Sequence, residues 1–427
     1  MGSRGKSLVA ALIVLAVALA GVAVANAKGP AGLDITYGDG GVATLPVPEP
    51  AYPGANGPYA NAYGFAATDD GTAYMLGNLS HCGGRCRNGR FLVRVEGSGP
   101  LDGSYAGDGT LELPPGYDYT VIVDPAGRTV VADLETNRHT VVIRRFEVDG
   151  SPDRGFGTAG TVSVPCPRCG ERFIGLHLLR SPGNRILLDV NVPGSHRRSQ
   201  VRLFRFRGNG APDRGFGRAG ALSFASPPSL PRAVAVAADG AVLLGGAGCC
   251  DAPKIYLERV AADGKLDRRF DRTAASSVGR LSRPGESLTL RAIVLRPGGG
   301  LAALGGSQKG RGYILRLKRD GGLASGFGKR GLVRLPAAVD SAVPGAGGAI
   351  FAVGRGKPYG RFSAYRVLAD GRLDPAYGGA AGLEVPLAGG PARALAAGSG
   401  RVLVTDEGNT FCREVCQSHP AIARFLE

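Results

Sequence analysis

The nine residues PDRGFGTAG that begin at Pro152 return sixty residues later, at Pro212, as PDRGFGRAG. A chain that rewrites a turn so closely is built of units that pack on copies of themselves, and such repetition limits the fold more than any single motif. Relatives of the phrase occur as LDITYGDGG at Leu33, LDGSYAGDG at Leu101, LDRRFDRTA at Leu266, LASGFGKRG at Leu323 and LDPAYGGAA at Leu373, making seven copies. Their unequal spacing is what insertions in surface loops produce.

Two further phrases keep the same rhythm. Asp70-Gly71 and Asp239-Gly240, with the degenerate Ala126-Gly127, Gly183-Asn184 and Gly299-Gly300, each separate two short apolar runs. Segments such as RRFEVDG, FRFRGNG, LERVAADG, LRLKRDG and YRVLADG precede the PDRGFG-like copies. The runs are strand-length and bounded by turn residues, and no sustained helical period follows the N-terminal segment. In RAVAVAADGAVLLGG the Asp-Gly reads as a two-residue hairpin, since glycine accepts the positive φ of a type I′ turn. Each unit is then four strands, a (AVAVAA type), b (AVLLGG type), c (IYLERV type) and d (after the Phe/Tyr-Gly turn).

Seven such units predict an all-β chain, a seven-bladed β-propeller of four-stranded antiparallel blades. An open β-solenoid is the alternative, but its coils are shorter and carry fewer hairpins. The chain opens on a d-type phrase and stops at AIARFLE, a c-type strand. The strand from about Leu33 to Leu45 is therefore expected to pair into the last blade and close the ring, leaving neither edge free.

The repeat L/P-D-x-x-F/Y-G-x-x-G, with A-x-A-x-x-x-D-G-x-x-L-x-x-G, resembles the delta-60 repeat of bacterial secreted and surface proteins over nearly all of the chain from Leu33. LDRRFDRTA departs from it by lacking the glycine after Phe270, and LASGFG by lacking the aspartate. The resemblance implies a propeller-like repeat fold in an extracellular setting, and neither a reaction nor catalytic residues.

Compartment is legible at the N-terminus. Arg4 and Lys6 precede the run LVAALIVLAVALAGVAVA, which ends at Ala25-Asn26-Ala27, an A-x-A cleavage pattern. Residues 1–27 read as a signal peptide and 28–427 as one propeller domain, with repeats starting near 33, 101, 152, 212, 266, 323 and 373. An uncleaved anchor is the other reading of that run; no later segment is apolar enough to span a bilayer. The formal net charge of +16 would attract anions. Yet the arginines are scattered through an Ala-, Gly- and Pro-rich chain, which a compositional bias explains, and they lack the aromatic interleaving of a single-strand binder. No specific nucleic acid is expected.

All eight cysteines fall in close pairs: Cys82 with Cys86, Cys166 with Cys169, Cys249 with Cys250, and Cys412 with Cys416. In a secreted chain this reads as four local disulfides, since Cα atoms must approach within roughly 7 Å to be bridged. Three pairs fall in b-to-c loops and Cys166/Cys169 in a d-to-a loop, which emerge on one face of a propeller; the Asp-Gly and PDRGFG turns emerge on the other. Three sharper readings compete. His81, Cys82, Cys86, Cys412, Cys416 and His419 could form a tetrahedral zinc site where the ring closes. Cys249-Cys250 resembles the vicinal disulfide of quinoprotein alcohol dehydrogenases, although the chain has no Trp. Cys166-Pro167-Arg168-Cys169 has the spacing of a redox motif, without the surrounding βαβ pattern. Disulfides are preferred over all three, and neither metal nor cofactor is expected.

PDRGFG itself reads as the c-to-d turn, with Asp153 and Asp213 capping the backbone and Phe156 and Phe216 packed between blades. The carboxylates of YGDGG and AGDGT lack the regular oxygen ligands of a calcium loop. Nucleophile-elbow, zincin and phosphate-loop motifs are absent, and His139, His177 and His196 are isolated. The expectation is a monomeric, secreted or cell-surface binding propeller that holds a protein or an anionic cell-surface polymer on its cysteine-bearing face. The alternative is a secreted hydrolase or lyase acting on a saccharide or lactone at the channel mouth. Arg291, Asp340, His177 and Arg393 lie in or near a strands and could point there, but their spacing shows no common register.

Overall fold

The structure is a computed structural model and describes residues 32–44, 56–83, 85–135, 137, 139–169, 175–192, 199–226, 231–247, 255–281, 287–355, 362–387, 393–397, 400–405 and 420–426. Residues 1–27, which the sequence reading expects to be a signal peptide, lie outside these residues. Strands are numbered β1 to β27 in chain order. They assemble into seven antiparallel sheets, six of four strands and one of three. The first strands of the blades are β2 (Asn56–Ala67), β6 (Gly116–Val123), β10 (Gly175–Ser181), β14 (Ala233–Val236), β17 (Leu288–Leu295), β21 (Ala338–Pro344) and β25 (Arg393–Ala397). Each touches the next around a complete circuit, β25 returning to β2, so these are the innermost strands of a closed seven-bladed propeller.

Closure follows the expected route. Strand β1 (Val42–Thr44) pairs antiparallel with the last strand, β27 (Ala421–Leu426), with Val42 opposite Ala423 and Thr44 opposite Ala421. Leu33 forms a separate bridge to Phe425, and the Asp34 amide donates to the Arg424 carbonyl at 2.9 Å. The hydrophobic cores lie between blades rather than within them, because each sheet buries both faces against its neighbours. Val130, Ile143 and Phe156 of blade two, for instance, meet Leu178, Leu188 and Val190 of blade three.

The repeated phrases are explained at these blade boundaries. Each c strand carries an arginine near its end, at 94, 145, 205, 259, 316, 366 and 424, and in six blades it grips the aspartate of the adjoining turn. Arg205 Nε lies 2.8 Å from Asp213 Oδ2, and Arg145 Nε 2.6 Å from Asp153 Oδ2. The other carboxylate oxygen of Asp153 accepts the Gly155 amide at 2.9 Å, which holds the turn. The guanidinium then stacks on the turn's aromatic ring, 4.6 Å from the centroids of Phe156, Phe216 and Tyr37 and 4.7 Å from Phe270. Its remaining N–H groups reach a carbonyl of the next blade: Arg205 donates to Ala262 and Arg259 to Arg319, both at 2.7 Å. Beside that contact the Gly217 amide donates to the Asp263 carbonyl at 2.8 Å.

Two glycines make the approach possible. Gly217 sits at φ +54°, and a Cβ there would come within 2.2 Å of the Ala221 carbonyl oxygen; a Cβ on Gly264, in the next blade's turn, would stand 2.3 Å from the Gly217 nitrogen. The DG phrase of one blade therefore recurs because it faces the FG phrase of the blade before it. Seven arginines that read as compositional bias are instead the buried or half-buried arms of this contact.

Two details differ from the sequence reading, and a third concerns a departure already visible there. The hairpins between a and b strands are five-residue turns in blades one, two, four, five and six, as in Ala67 opposite Ala73; in blades three and seven they have three residues. None is the two-residue type. In blade four the d strand is replaced by helix α1 (Arg268–Gly279). Its Phe270 is followed by Asp271, where five of the other copies have a glycine and blade one has Ala106, all at positive φ. The chain continues right-handed instead, with Asp267 accepting the Phe270 amide at 3.0 Å as the N-cap. Asp271 Oδ1 accepts the Arg259 amide at 2.9 Å, the bond that the Gly160 and Gly220 carbonyls make to Arg145 and Arg205 in blades two and three. Burial raises the Asp271 pKa above the ordinary carboxylate value. In blade five, finally, Ala324 occupies the aspartate position. Arg316 keeps Phe327 and the Ala369 carbonyl but has no carboxylate there, and Arg296 is near enough to feel its charge.

Blade five supplies a test. Ala324→Asp should stabilise the protein by about 0.5–2 kcal/mol in denaturant titration, because the Ala324 amide already donates to the Arg316 carbonyl at 3.0 Å as Asp153 does to Arg145. The reciprocal change, Asp213→Ala, leaves Arg205 buried without its partner and should cost about 3–5 kcal/mol. Acid should act in the same direction. The pKa values of Asp34, Asp153 and Asp213 are lowered, burial being outweighed by hydrogen bonds and by Arg424, Arg145 and Arg205 respectively. A depressed folded-state pKa gives stability that is present above the unfolded value of about 4 and lost as pH falls below it. Unfolding midpoints should therefore drop steeply between about pH 4 and pH 2, and Asp213→Ala should flatten that slope.

Candidate functional site

With the a strands paired, the polar residues scattered along them fall into register. Counting back four places from the last residue of each innermost strand gives Tyr63, Tyr119, His177, Arg232, Arg291, Asp340 and Arg393 in blades one to seven. In five blades this position is eight residues before the turn glycine, and in blades three and seven the shorter turn hides the match. The four residues singled out from sequence thus share one level of the ring, and Tyr63, Tyr119 and Arg232 join them. At the same level, β-bulges interrupt four of the pairings, between Ala62 and Gly64, Tyr117 and Thr120, Leu290 and Ala292, and Val339 and Ser341. A bulge leaves one residue outside the ladder and re-aims its side chain. The level lies toward the end of the propeller that carries the cysteine-bearing loops, because a strands run from that face to the Asp-Gly turns.

Charge is unevenly shared around the level. Arg232, Arg291 and Arg393 are exposed. Burial of its stem, and next the nearby Arg291, lower the Arg232 pKa, although a guanidinium stays charged throughout. Asp340 is the one carboxylate, with Oδ2 3.4 Å from Arg355 Nε. Burial pushes its pKa up, and Arg355 and then Arg291 pull it back. Blades four to seven therefore present a cationic arc around a single shielded carboxylate, while Tyr63, Tyr119 and His177 mark blades one to three.

His177 is not isolated. It stands directly opposite Asp189 of β11 (Arg185–Val192), with Nδ1 3.0 Å from Asp189 Oδ2, and the Asn191 amide donates to the same oxygen at 2.6 Å. Asp189 and Asn191 are wholly buried, whereas the imidazole is about a third exposed. The carboxylate fixes the ring through Nδ1 and leaves Nε2 as the edge available to a ligand.

Of the cysteine pairs, Cys166 and Cys169 form a disulfide with a Cα separation of 5.4 Å, in the d-to-a loop between blades two and three. Both are 1% exposed and belong to the core between those blades, so the bridge packs as well as staples. Cys82 lies opposite Cys86 in the backbone register of β3 (Ala73–Gly83) and β4 (Arg85–Val95). Cys249, Cys250, Cys412, Cys416 and His419 lie outside the described residues, and with them the zinc and vicinal-disulfide alternatives. His139 accompanies the bridge, its Nδ1 3.0 Å from the Pro167 carbonyl oxygen. Among the described residues no group of three or more His, Cys, Asp or Glu could hold a metal ion, and no helix is long and apolar enough to cross a membrane.

No family model and no curated protein matches the chain. Among solved structures, a polysaccharide lyase is 11% identical at a TM-score of 0.46, over 83% of this chain and 88% of the lyase. An α-L-arabinanase of Penicillium chrysogenum complexed with arabinobiose is 11% identical at 0.42, over 74% and 94%. The PQQ-bound aldose sugar dehydrogenase of Streptomyces coelicolor is 12% identical at 0.40, over 73% and 95%. Likenesses this distant say nothing about substrate.

The buried bridge makes a direct prediction. Peptide mapping of the unreduced protein should recover Cys166 linked to Cys169, and Cys166→Ser with Cys169→Ser should lower stability by about 2 kcal/mol, the value for so short a loop. Free thiols at both positions in the folded protein would contradict it.

Proposed function

We propose that the protein is a secreted or cell-surface binding propeller of the delta-60 repeat class, and that its axial mouth takes an anionic ligand, such as an acidic segment of a polymer or protein. The observation that carries this is the common level of Tyr63, Tyr119, His177, Arg232, Arg291, Asp340 and Arg393. An axis that served packing alone would repeat the Ala, Val and Leu that occupy neighbouring positions of the same strands. Guanidinium groups clamp carboxylates and sulfates through paired N–H donors, and the Tyr63 ring provides a flat face for a sugar or peptide. The leader directs the chain outward, where acidic polymers are abundant partners, and the four cysteine pairs suit that compartment. The protein is proposed to act as a monomer.

A second reading, catalysis at the same mouth on a saccharide or lactone, is favoured by His177 alone. A buried carboxylate orienting an accessible imidazole is an arrangement used for general acid–base chemistry. The two readings separate by experiment. Binding predicts retention on immobilised heparin with an affinity that falls steeply as salt rises. Arg291→Gln with Arg393→Gln should weaken it at least tenfold, while Asp340→Asn, which removes the one carboxylate, should strengthen it about threefold to tenfold. Arginine changes without effect on retention would remove the proposal. Shortening of an acidic polysaccharide by the wild type, abolished in His177→Ala, would establish the catalytic reading instead.

A further inference from the structure

At the opposite end of the propeller, the face of the Asp-Gly turns is interrupted by short a-to-b turns in blade seven and, beside a cavity, in blade three. There the a-to-b turn is two residues shorter than its neighbours, with Ser181 paired directly to Arg185. Blades two and four keep five-residue turns on either side. The short turn cannot fill the space between them, and a cavity of about 410 Å³ opens across blades two, three and four. That size is within the range of small-molecule sites, which are mostly apolar with a few placed polar groups.

The lining has this mixed character. Ile122, Pro125, Pro182, Ile186 and Val236 supply apolar walls. Three guanidinium groups and one carboxylate line it as well, and all but one of these are already engaged. Asp124 accepts the amides of Ala126 and Arg128 through Oδ1 and pairs with the Arg128 guanidinium through Oδ2. Arg145 is held by Asp153, and Arg185 by Asp213 at 2.9 Å and the Pro182 carbonyl at 2.8 Å. Arg180 is left. It stands opposite Ile186 in the strand register, it is exposed, and it pairs with no carboxylate among the described residues.

We infer that this cavity is a second binding site, distinct from the axial mouth, for a small monocarboxylate with an apolar body. The body replaces water against the isoleucine, valine and proline walls, and Arg180 receives the carboxylate. A neutral or cationic molecule of the same shape would leave Arg180 without its anion and face a net positive lining. A volume of about 410 Å³ takes a small molecule rather than a length of polymer, so the ligand differs in kind from that of the mouth.

Calorimetric titration of the full protein with octanoate, 1-octanol and octylamine tests the inference. Octanoate should bind at least tenfold more tightly than either other probe, because a charge-assisted bond is worth about that factor. Arg180→Gln should erase the preference and Arg180→Lys should keep most of it, with thermal melting showing that both variants fold. Arg291→Gln, at the other end of the axis, should leave octanoate binding unchanged. Equal affinity for octanoate and 1-octanol, an unaltered preference in Arg180→Gln, or no saturable binding of octanoate would each overturn the proposal.

Discussion

Everything in this fold depends on how one blade is fixed to the next. In four blades the c-strand arginine, at 145, 205, 259 and 424, does this in three ways at once: it pairs with the aspartate of its turn, lies over the turn's aromatic ring and donates to the following blade's backbone. Removal from water is costly for a lone guanidinium, but here the charge is compensated by a carboxylate, a π face and a carbonyl. Blades carry little core of their own, so the stack holds only if these boundaries do. The variations support that view. In blade six Tyr377 donates its hydroxyl to the Leu426 carbonyl, holding the strand that ends the chain, and in blade four the Asp271 carboxylate stands in for a missing strand carbonyl.

Such a scaffold separates stability from recognition. Apart from the cavity at blade three, the turn face is committed to packing, its aspartates held by hydrogen bonds of about 3 Å and its aromatics covered by the c-strand guanidinium groups. The a strands have freedom at the level where bulges relax their pairing, and there side chains differ from blade to blade: tyrosine, histidine, arginine and aspartate. Seven similar units thereby carry four kinds of polar residue at one level.

Much of this was legible in the sequence and some was not, for identifiable reasons. The number of blades and the closing strand followed from the positions of the PDRGFG copies, because turn chemistry at positive φ tolerates few residues. The helix of blade four was not signalled by the missing glycine after Phe270, since Ala106 takes the same turn in blade one, and it needed the packing of Ala274 and Val278 to be seen. The c-strand arginines escaped notice because arginine is abundant throughout, and only pairing with Asp153, Asp213 and their equivalents distinguishes seven of them. The axial level was hidden by the turns of blades three and seven, which shift His177 and Arg393 relative to the glycines. His177 looked alone because its partner Asp189 lies across a hairpin, twelve residues away.

The central claim, that one arginine contact repeats around a ring closed by its own first segment, is tested most directly between Arg424 and Asp34, 390 residues apart in sequence and 2.7 Å apart in space. A double-mutant cycle on denaturant unfolding, with Arg424→Met and Asp34→Asn singly and together, measures their coupling free of other losses. The account predicts a favourable coupling of about 2 kcal/mol or more, equal to that of the Arg205 and Asp213 pair within one blade. Additive effects, with no coupling across the closure while the Arg205 pair retains its own, would contradict it.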